Sequence, residues 1–534
     1  MINTDAPLNS LNSQSKDTNF NLNGLKNDTE TLINKAPEQT EHKQILKELL
    51  NKIDPIDFDL LAYPQREKLD LRLKEIEKLT LSKDCQNRES LKDEQNRIEK
   101  DLSKMFAKEK HKLILTIEQL VDLAQNQKWD LGKKNDFIYV YNGAYWDNID
   151  KPEFENFLGE ASQKFGVSKF DARFFSFKEK LFKQFLSDSY LQTPEQNNNT
   201  VLINLKNGTF EITPKETVLK PFKASDFLTY QLPFEYNQSA TAPIFTAYLN
   251  KVLPDIKTQN VLAEFMGYVF TDTSTLKLEK ALLLYGDGAN GKSVFFDVVT
   301  ALLGIENTSN HSLSELTNET GYNRATITNK LVNYATELSG KLETSIFKQL
   351  VSGEPVVARL PYGNPFTIRK YAKLIFNCNK LPSDVEHTNA YFRRFLIIPF
   401  EVTIPENERD IDLAQKIIKN ELSGVFNWML DGLKRILKNK EFSKCEKVEQ
   451  ALESYKKHSD SAKLFLDDNN YVTDANDLKP LKELYSEYRT YCLDCGYRVT
   501  SINTFSDRLK KSLGFETIRK DYGMAIYIKK SFDF

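Results

Sequence analysis

Residues 281–304 read ALLLYGDGANGKSVFFDVVTALLG, and this segment constrains the fold more than any other in the chain. Gly286, four further residues and then Gly291-Lys292-Ser293 satisfy the full spacing of a phosphate-binding loop. Ala281 to Tyr285 is a short apolar run suited to a buried parallel strand, whereas Val294, Val298 and Leu302 recur at helical spacing before Gly304 stops the helix. Glycines let the backbone curl so that successive N–H groups point inward, and the helix N-terminus adds partial positive charge. The residues expected around a nucleoside triphosphate are therefore Gly286, Asp287, Gly288, Ala289, Asn290, Gly291, Lys292 and Ser293. Lys292 reaches the outer phosphates and Ser293 holds Mg²⁺.

A phosphate loop alone is shared by kinases, GTPases and motor ATPases, so the segments downstream must discriminate. NKLVNYATEL (329–338) predicts a second core strand ending in Glu337, from which a carboxylate orients attacking water and assists the Mg²⁺ shell. A helix-capping glutamate is the plain alternative. YAKLIFNCNKLP (371–382) predicts a third strand finishing in Asn377 and Asn379. An amide at the C-terminal end of a strand in an open α/β sheet lies at the ligand crevice, although a turn-forming asparagine reads the same way. AYFRRFLIIPF (390–400) sets Arg393 and Arg394 directly before a fourth apolar strand. One of them suits an arginine finger on the transferred phosphoryl group; a solvated surface pair is the alternative.

GDGANGKS, LVNYATEL, FKQLVSGEPVVARLPYG (347–363), the strand ending in NCNKLP and FRRFLIIPF follow one another in an order that resembles superfamily 3 helicases. The resemblance is to the phage and plasmid primase-helicase branch, which includes the poxvirus primase-helicases. FIYVYNGAYW (137–146) and INLKNGTFEI (203–212) resemble the domain that precedes the motor in this branch. The resemblance implies ATP and Mg²⁺ as cofactors, Lys292 and Ser293 on phosphate and metal, Glu337 as catalytic carboxylate and metal ligand, Asn379 as sensor, and Arg393 or Arg394 as finger. Many members end the Glu337 strand with two acids, whereas Thr336 stands here. A hairpin that projects into the ring channel is implied too, and RLPYGNPFTIRK (359–370) fits it. Arg359, Arg369 and Lys370 would then meet phosphates while Tyr362 stacks on a base. Lys348 matches a family lysine that faces the neighbouring nucleotide site.

The implied activity is that of a homo-hexameric, ATP-driven helicase on single-stranded and forked DNA, replicating a phage, plasmid or other mobile element beside a separate primase or initiator. Two readings from other classes stay open: a ring ATPase that switches or assembles without unwinding, and an origin-binding protein whose nucleotide sets its oligomeric state.

At 534 residues the chain is long enough for about three or four domains. Residues 1–40, rich in Asn, Ser, Thr, Asp and Lys, read as a disordered tail, and 41–111 as a helical region in hairpin or arm form. Residues 112–280 read as an α+β domain, 281–435 as the motor, 436–460 as a charged helical linker and 461–534 as a winged helix. The expected fold class is thus a multidomain protein. Its α/β P-loop core resembles the AAA+ motors, with an α+β domain before it, a helical N-terminal region and a C-terminal winged helix.

Lys and Arg (73) nearly balance Asp and Glu (75), which excludes a globally basic coat and leaves nucleic-acid binding to local patches. Arg498 to Lys530 holds eight basic residues against three acids. Within it Ser501 is expected to cap a recognition helix, with Phe505, Leu509 and Leu513 toward the core and Arg508, Lys510 and Lys511 outward to DNA. A protein-docking winged helix is the alternative. Asp57-Phe58-Asp59 is the single early carboxylate pair that tempts a two-metal primase reading, but Pro55 precedes it and no strand pattern surrounds it. A helix N-cap explains it, and primase activity is not expected of this chain. Cys492 and Cys495 lack a second ligand pair for zinc and read as packing thiols. No apolar run approaches the ~18 residues of a membrane helix, so the cytoplasm is the expected address and no membrane partner is expected.

Overall fold

The computed structural model describes residues 41–81, 87–134, 137–191, 200–213, 215–336, 338, 342–361, 363–382, 388–497, 499–511 and 513–531. The tail expected over 1–40 lies outside the described residues.

An N-terminal lobe is built on the antiparallel strands β1 (Asp130–Lys134), β2 (Phe137–Tyr141) and β3 (Trp146–Ile149). The β2–β3 turn forms at Asn142-Gly143, where Gly143 has φ 93° and Asn142 Oδ1 accepts the Ala144 and Tyr145 N–H groups at 3.0 and 2.9 Å. Helices Glu109–Asn126, Lys151–Phe165 and Phe175–Asp188 cover the sheet, and Ile45, Leu49 and Phe58 join Ile117, Leu120, Phe154 and Phe185 in one core. Packing therefore runs across the boundary expected near 111. Helices Gln65–Leu81 and Arg88–Leu102 pair as a hairpin, tied by Arg72 to Glu94 at 2.8 and 3.1 Å, with only Ile76 and Ile98 buried. Asp57 caps helix Phe58–Ala62 by accepting the Leu60 N–H at 2.9 Å, and Asp59 accepts the Ala107 N–H at 2.7 Å.

The meander β4 (Val201–Leu205), β5 (Gly208–Ile212) and β6 (Thr217–Lys220) follows. Its Ile203, Leu205, Phe210 and Leu219 share a core with Leu282, Phe295 and Phe426 of the motor. The expected 112–280 domain is therefore divided by packing: its first half belongs to the lobe and its second to the motor body. Alternating apolar residues announce a buried face, not the element that covers it.

The motor sheet comprises β7 (Ala281–Tyr285), β8 (Thr308–Ser309), β9 (Val332–Ala335), β12 (Lys373–Cys378) and β13 (Phe395–Pro399). A separate hairpin, β10 (Val356–Arg359) and β11 (Pro365–Ile368), lies between β9 and β12 in the chain. All five sheet strands are parallel, in the order β13-β7-β12-β9-β8. They read as near-continuous apolar runs because both faces are covered: Leu282 and Leu284 point into one core with Phe295, and Ala281 and Leu283 into another with Phe347, Phe395 and Tyr455. Helices Ile256–Tyr268 and Leu422–Asn439 cross so closely that a Cβ on Gly432 would lie 2.2 Å from the Ala263 carbonyl oxygen. Helix Glu446–Ser459, expected to be a linker, instead packs on β13. Val448, Ala451, Leu452 and Tyr455 form its apolar stripe, while its charged residues lie toward solvent.

The C-terminal domain orders helix Ser461–Asp468, β14 (Tyr471–Pro480), helices Leu481–Asp494 and Ile502–Lys511, β15 (Thr517–Lys520) and β16 (Gly523–Lys530). The sheet order is β14-β16-β15, antiparallel throughout. β14 has no counterpart in the sequence reading, because its polar TDAND stretch bulges out of register between Thr473 and Leu478. Cys492 is buried in this core, but Cys495, expected to pack, is exposed where the helix ends.

Candidate active site

The glycine-rich loop leaves the C-terminal end of β7 and is fastened on several sides. Gly286 has φ 156°, and a Cβ there would sit 2.2 Å from the Phe400 carbonyl oxygen, so only glycine fits. Its N–H donates to the O of Cys378, the last residue of β12, at 3.2 Å, and the N–H of Phe400, just past β13, donates to Tyr285 O at 2.7 Å. Asn290 Nδ2 donates to Phe400 O at 3.1 Å, and the Ile404 N–H donates to Ala289 O at 2.8 Å. Asp287, Gly288 and Ala289 are exposed along the rim.

Lys292 opens helix Lys292–Leu303 and is 7% exposed. Its ammonium donates to Gly286 O at 2.5 Å, Asp287 O at 3.1 Å and Asn290 Oδ1 at 3.1 Å. Burial pushes its pKa below the usual lysine range. Three neutral oxygens thus hold a buried cation with no carboxylate paired to it among the described residues. A phosphate oxygen is a stronger, charge-assisted partner, so this donor set fits a phosphate group. Ser293 is exposed on the first helical turn, where its hydroxyl is free to meet a metal.

Asn377 is buried, and its Oδ1 accepts the Tyr334 hydroxyl at 3.0 Å. Asn379 is exposed one residue past β12. Cys378 is in register with Tyr285, which places Asn379 alongside Gly286 at the C-terminal edge of the sheet. β9 ends at the same edge, followed by the exposed Thr336; Glu337 lies outside the described residues.

The arginine pair stands at the other edge. Phe395 is in register with Ala281, the first residue of β7, and the Ala281 N–H donates to Arg394 O at 2.8 Å. Five strand residues therefore separate the pair from the loop of its own chain, roughly 15 Å along the sheet. The two side chains differ sharply. Arg393 is 63% exposed and pairs with Glu279 at 3.2 Å. Arg394 is 9% exposed, donates to Ala390 O and, at 3.1 Å, to Ser352 Oγ, and keeps a buried Nε with no partner among the described residues. A reach into a neighbouring molecule suits Arg393 and not Arg394.

On the hairpin, Arg359 is exposed and its Nε donates to Gly363 O at 2.8 Å; Arg369 and Lys370 are exposed at the root, and Tyr362 lies outside the described residues. Lys348 lies on helix Thr344–Ser352. Arg324, which nothing in its polar surroundings NETGYNRATIT marks as buried, is 4% exposed and donates to Val357 O at 2.8 Å and Leu316 O at 3.0 Å, supporting β10. Tyr248 was equally unmarked, yet its hydroxyl donates to Gly291 O at 2.8 Å.

In the C-terminal domain the Thr504 N–H donates to Ser501 Oγ at 3.2 Å, and Lys510 and Lys511 are exposed, Lys511 lying 3.6 Å from Asp507. Arg508, expected outward, is turned in: its side chain is 16% exposed and lies 3.8 Å from the buried Asp460. Three residues after Phe505 and one before Leu509, position 508 flanks the buried stripe of its helix.

These observations define a multidomain α/β protein whose parallel central sheet presents a glycine-rich, lysine-bearing loop at one edge and an arginine pair at the other. Residues 284–394 match a family of unknown function (DUF5906), a span that runs from β7 to Arg394. Residues 118–254 match the family described as D5 N terminal like. No curated protein matches the chain. Among solved structures, the apo structure of the NrS-1 C terminal region (305-718) is similar over 78% of this chain and 99% of that one, at 15% identity and a TM-score of 0.46. The A form apo structure of the same region covers 77% of this chain and 99% of that one, at 14% identity and a TM-score of 0.45. Among the described residues no helix is long and apolar enough to cross a membrane.

Proposed function

We propose that the chain is an ATP-driven DNA helicase of superfamily 3, working as a homo-hexameric ring on single-stranded and forked DNA in the replication of a phage, plasmid or other mobile element. The observation that carries this reading is the separation of Lys292 and Arg393 to opposite edges of one parallel sheet. An exposed cation that cannot reach the loop of its own subunit is free to complete the loop of the next. The D5 N terminal like match over 118–254 and the motifs of the superfamily support the same reading.

In this reading Lys292 and the loop N–H groups bind the phosphates of ATP, Ser293 and Glu337 hold Mg²⁺, and Asn379 contacts the γ-phosphate or the attacking water. Bound Mg²⁺ supplies charge neutralisation at the phosphates. Glu337 orients the water, and Arg393 of an adjacent subunit stabilises the charge on the transferred group. The hairpin carries Arg359, Tyr362, Arg369 and Lys370 to the DNA, and the C-terminal winged helix adds Lys510 and Lys511. A separate primase or initiator supplies the steps this chain lacks.

The test is ATP-dependent displacement of a labelled strand from forked DNA by wild type and Glu337→Gln, with hydrolysis followed with and without single-stranded DNA. Displacement by wild type alone is the expected result. DNA-independent hydrolysis without displacement would reject the helicase in favour of a switch ATPase.

A further inference from the structure

Glu279 stands two residues before β7 with φ 53°, in the left-handed region where the Cβ of an L-residue crowds the following carbonyl oxygen. The segment is pinned before and after it: Leu276 and Tyr268 are buried in the motor core, the Leu278 N–H donates to the Tyr268 hydroxyl at 3.3 Å, and Ala281 starts the strand. Glycine would hold this position with less strain. What a glutamate adds is a carboxylate, and both of its oxygens are engaged. Oε1 lies 3.3 Å from the Lys277 ammonium, whereas Oε2 lies 3.2 Å from Nη2 of Arg393 and 3.9 Å from Nη2 of Arg394.

Residues 279–281 hold the arginine pair by its main chain as well. The Lys280 ammonium donates to Arg393 O at 2.5 Å and to Phe395 O at 3.3 Å, and the Ala281 N–H donates to Arg394 O at 2.8 Å. Arg393 is thus gripped at its carbonyl by Lys280 and at its guanidinium by Glu279. Only Nη2 meets Glu279, and among the described residues no other acceptor takes the guanidinium, whose Nε–H and Nη1 hydrogens stay open to a second anion. An ion pair so exposed on its arginine side contributes little to stability. Its effect is on direction, because one edge of a planar guanidinium tied to a fixed carboxylate confines the other edge.

We propose that Glu279 is a positioning residue for the finger: its carboxylate orients the Arg393 guanidinium so that the free edge meets the transferred phosphoryl group at the neighbouring subunit's site. The inference rests on the finger reading above and adds a residue that acts through Arg393 without touching the nucleotide. The mount is continuous with β7, whose other end carries the loop of Lys292, so the strand beneath a subunit's own nucleotide also sets the aim of its finger.

The experiment measures steady-state ATP hydrolysis by the full-length wild type, Glu279→Gln, Glu279→Gly, Arg393→Ala and the double variant Glu279→Gln with Arg393→Ala. Thermal unfolding and light scattering follow the fold and the assembly of each. Glu279→Gln keeps the size of the side chain and removes its charge. It is expected to melt and assemble like the wild type while kcat falls about tenfold and KM for ATP stays near its wild-type value. Glu279→Gly frees the backbone of its strain and should lose kcat to the same extent. The double variant should hydrolyse ATP no more slowly than Arg393→Ala alone, since a residue that acts through Arg393 then has nothing left to position. Wild-type kcat in either Glu279 variant beside an impaired Arg393→Ala would overturn the inference and leave the finger standing. A further loss in the double variant, or failed assembly of Glu279→Gln, would overturn it by giving Glu279 a role apart from Arg393. Wild-type hydrolysis in Arg393→Ala, or none in the wild type, would reject the finger and this inference with it.

Discussion

The Tyr248 hydroxyl donates to the Gly291 carbonyl at 2.8 Å, so the residue before Lys292 is held by a helix that precedes the strand, loop and helix of the phosphate site. Tyr248 is 4% exposed, and removing its hydroxyl leaves the Gly291 carbonyl with the Phe295 N–H, at 3.2 Å, as its remaining partner. Tyr248→Phe is expected to lower stability by about 1 kcal/mol and to weaken ATP binding without abolishing it. Thermal melts with and without nucleotide separate the two effects, and an unchanged nucleotide-induced shift would show that the loop does not need this support.

The two arginines should behave differently. Arg393→Ala is expected to retain wild-type stability and ATP binding but to lose most ATP turnover. Arg394→Ala removes a buried group that satisfies Ser352 Oγ and Ala390 O, and should cost about 1–3 kcal/mol of stability. Lys292→Ala, the reference variant, should abolish turnover. Normal hydrolysis in Arg393→Ala would eliminate it as the finger.

What the sequence made legible follows from how local each signal is. The proposed phosphate loop is legible because strand, glycines, lysine and helix sit within 24 consecutive residues in the order such a loop requires. Asn142-Gly143 is as plain, since a tight turn needs its own residues. Helix Glu446–Ser459 reads as a linker because charge is spread along it, yet a narrow stripe ending in Tyr455 decides its place. Arg508 reads as outward on a helix of two faces, but position 508 lies at their border and its side chain turns to Asp460. Arg324 and Tyr248 find their carbonyl partners through tertiary packing, for which the neighbouring residues carry no sign.

In the C-terminal domain, Lys510→Ala with Lys511→Ala should weaken DNA binding and flatten its salt dependence by about two units of slope on duplex DNA, about one for each lysine, while the domain stays folded. Arg508→Ala should instead loosen the contact between helix Ile502–Lys511 and Asp460. Filter binding across a salt series checks the first and thermal unfolding the second. An unaltered salt slope in the double variant would assign this surface to protein docking.

Asp474 is held down to about 2 by the Lys529 ammonium at 2.5 Å and by the N–H groups of Asn476 and Asp477. A carboxylate with a depressed pKa stabilises above its unfolded value and loses that contribution as pH falls through its folded one. Amide exchange on β14 and β16 is therefore expected to quicken between about pH 4 and pH 2, and Asp474→Asn should remove that step. A step of the same size in the variant would assign it to another group.

A parallel sheet has a direction, and Lys292 and Arg393 stand at its two ends; in the proposed ring they act as plug and socket. Repetition in a single rotational sense sets unlike ends together at every boundary and closes without remainder. Mixed assemblies of wild type and Arg393→Ala would then lose activity by arrangement: each altered subunit silences the site of its neighbour on one side and leaves its own loop competent.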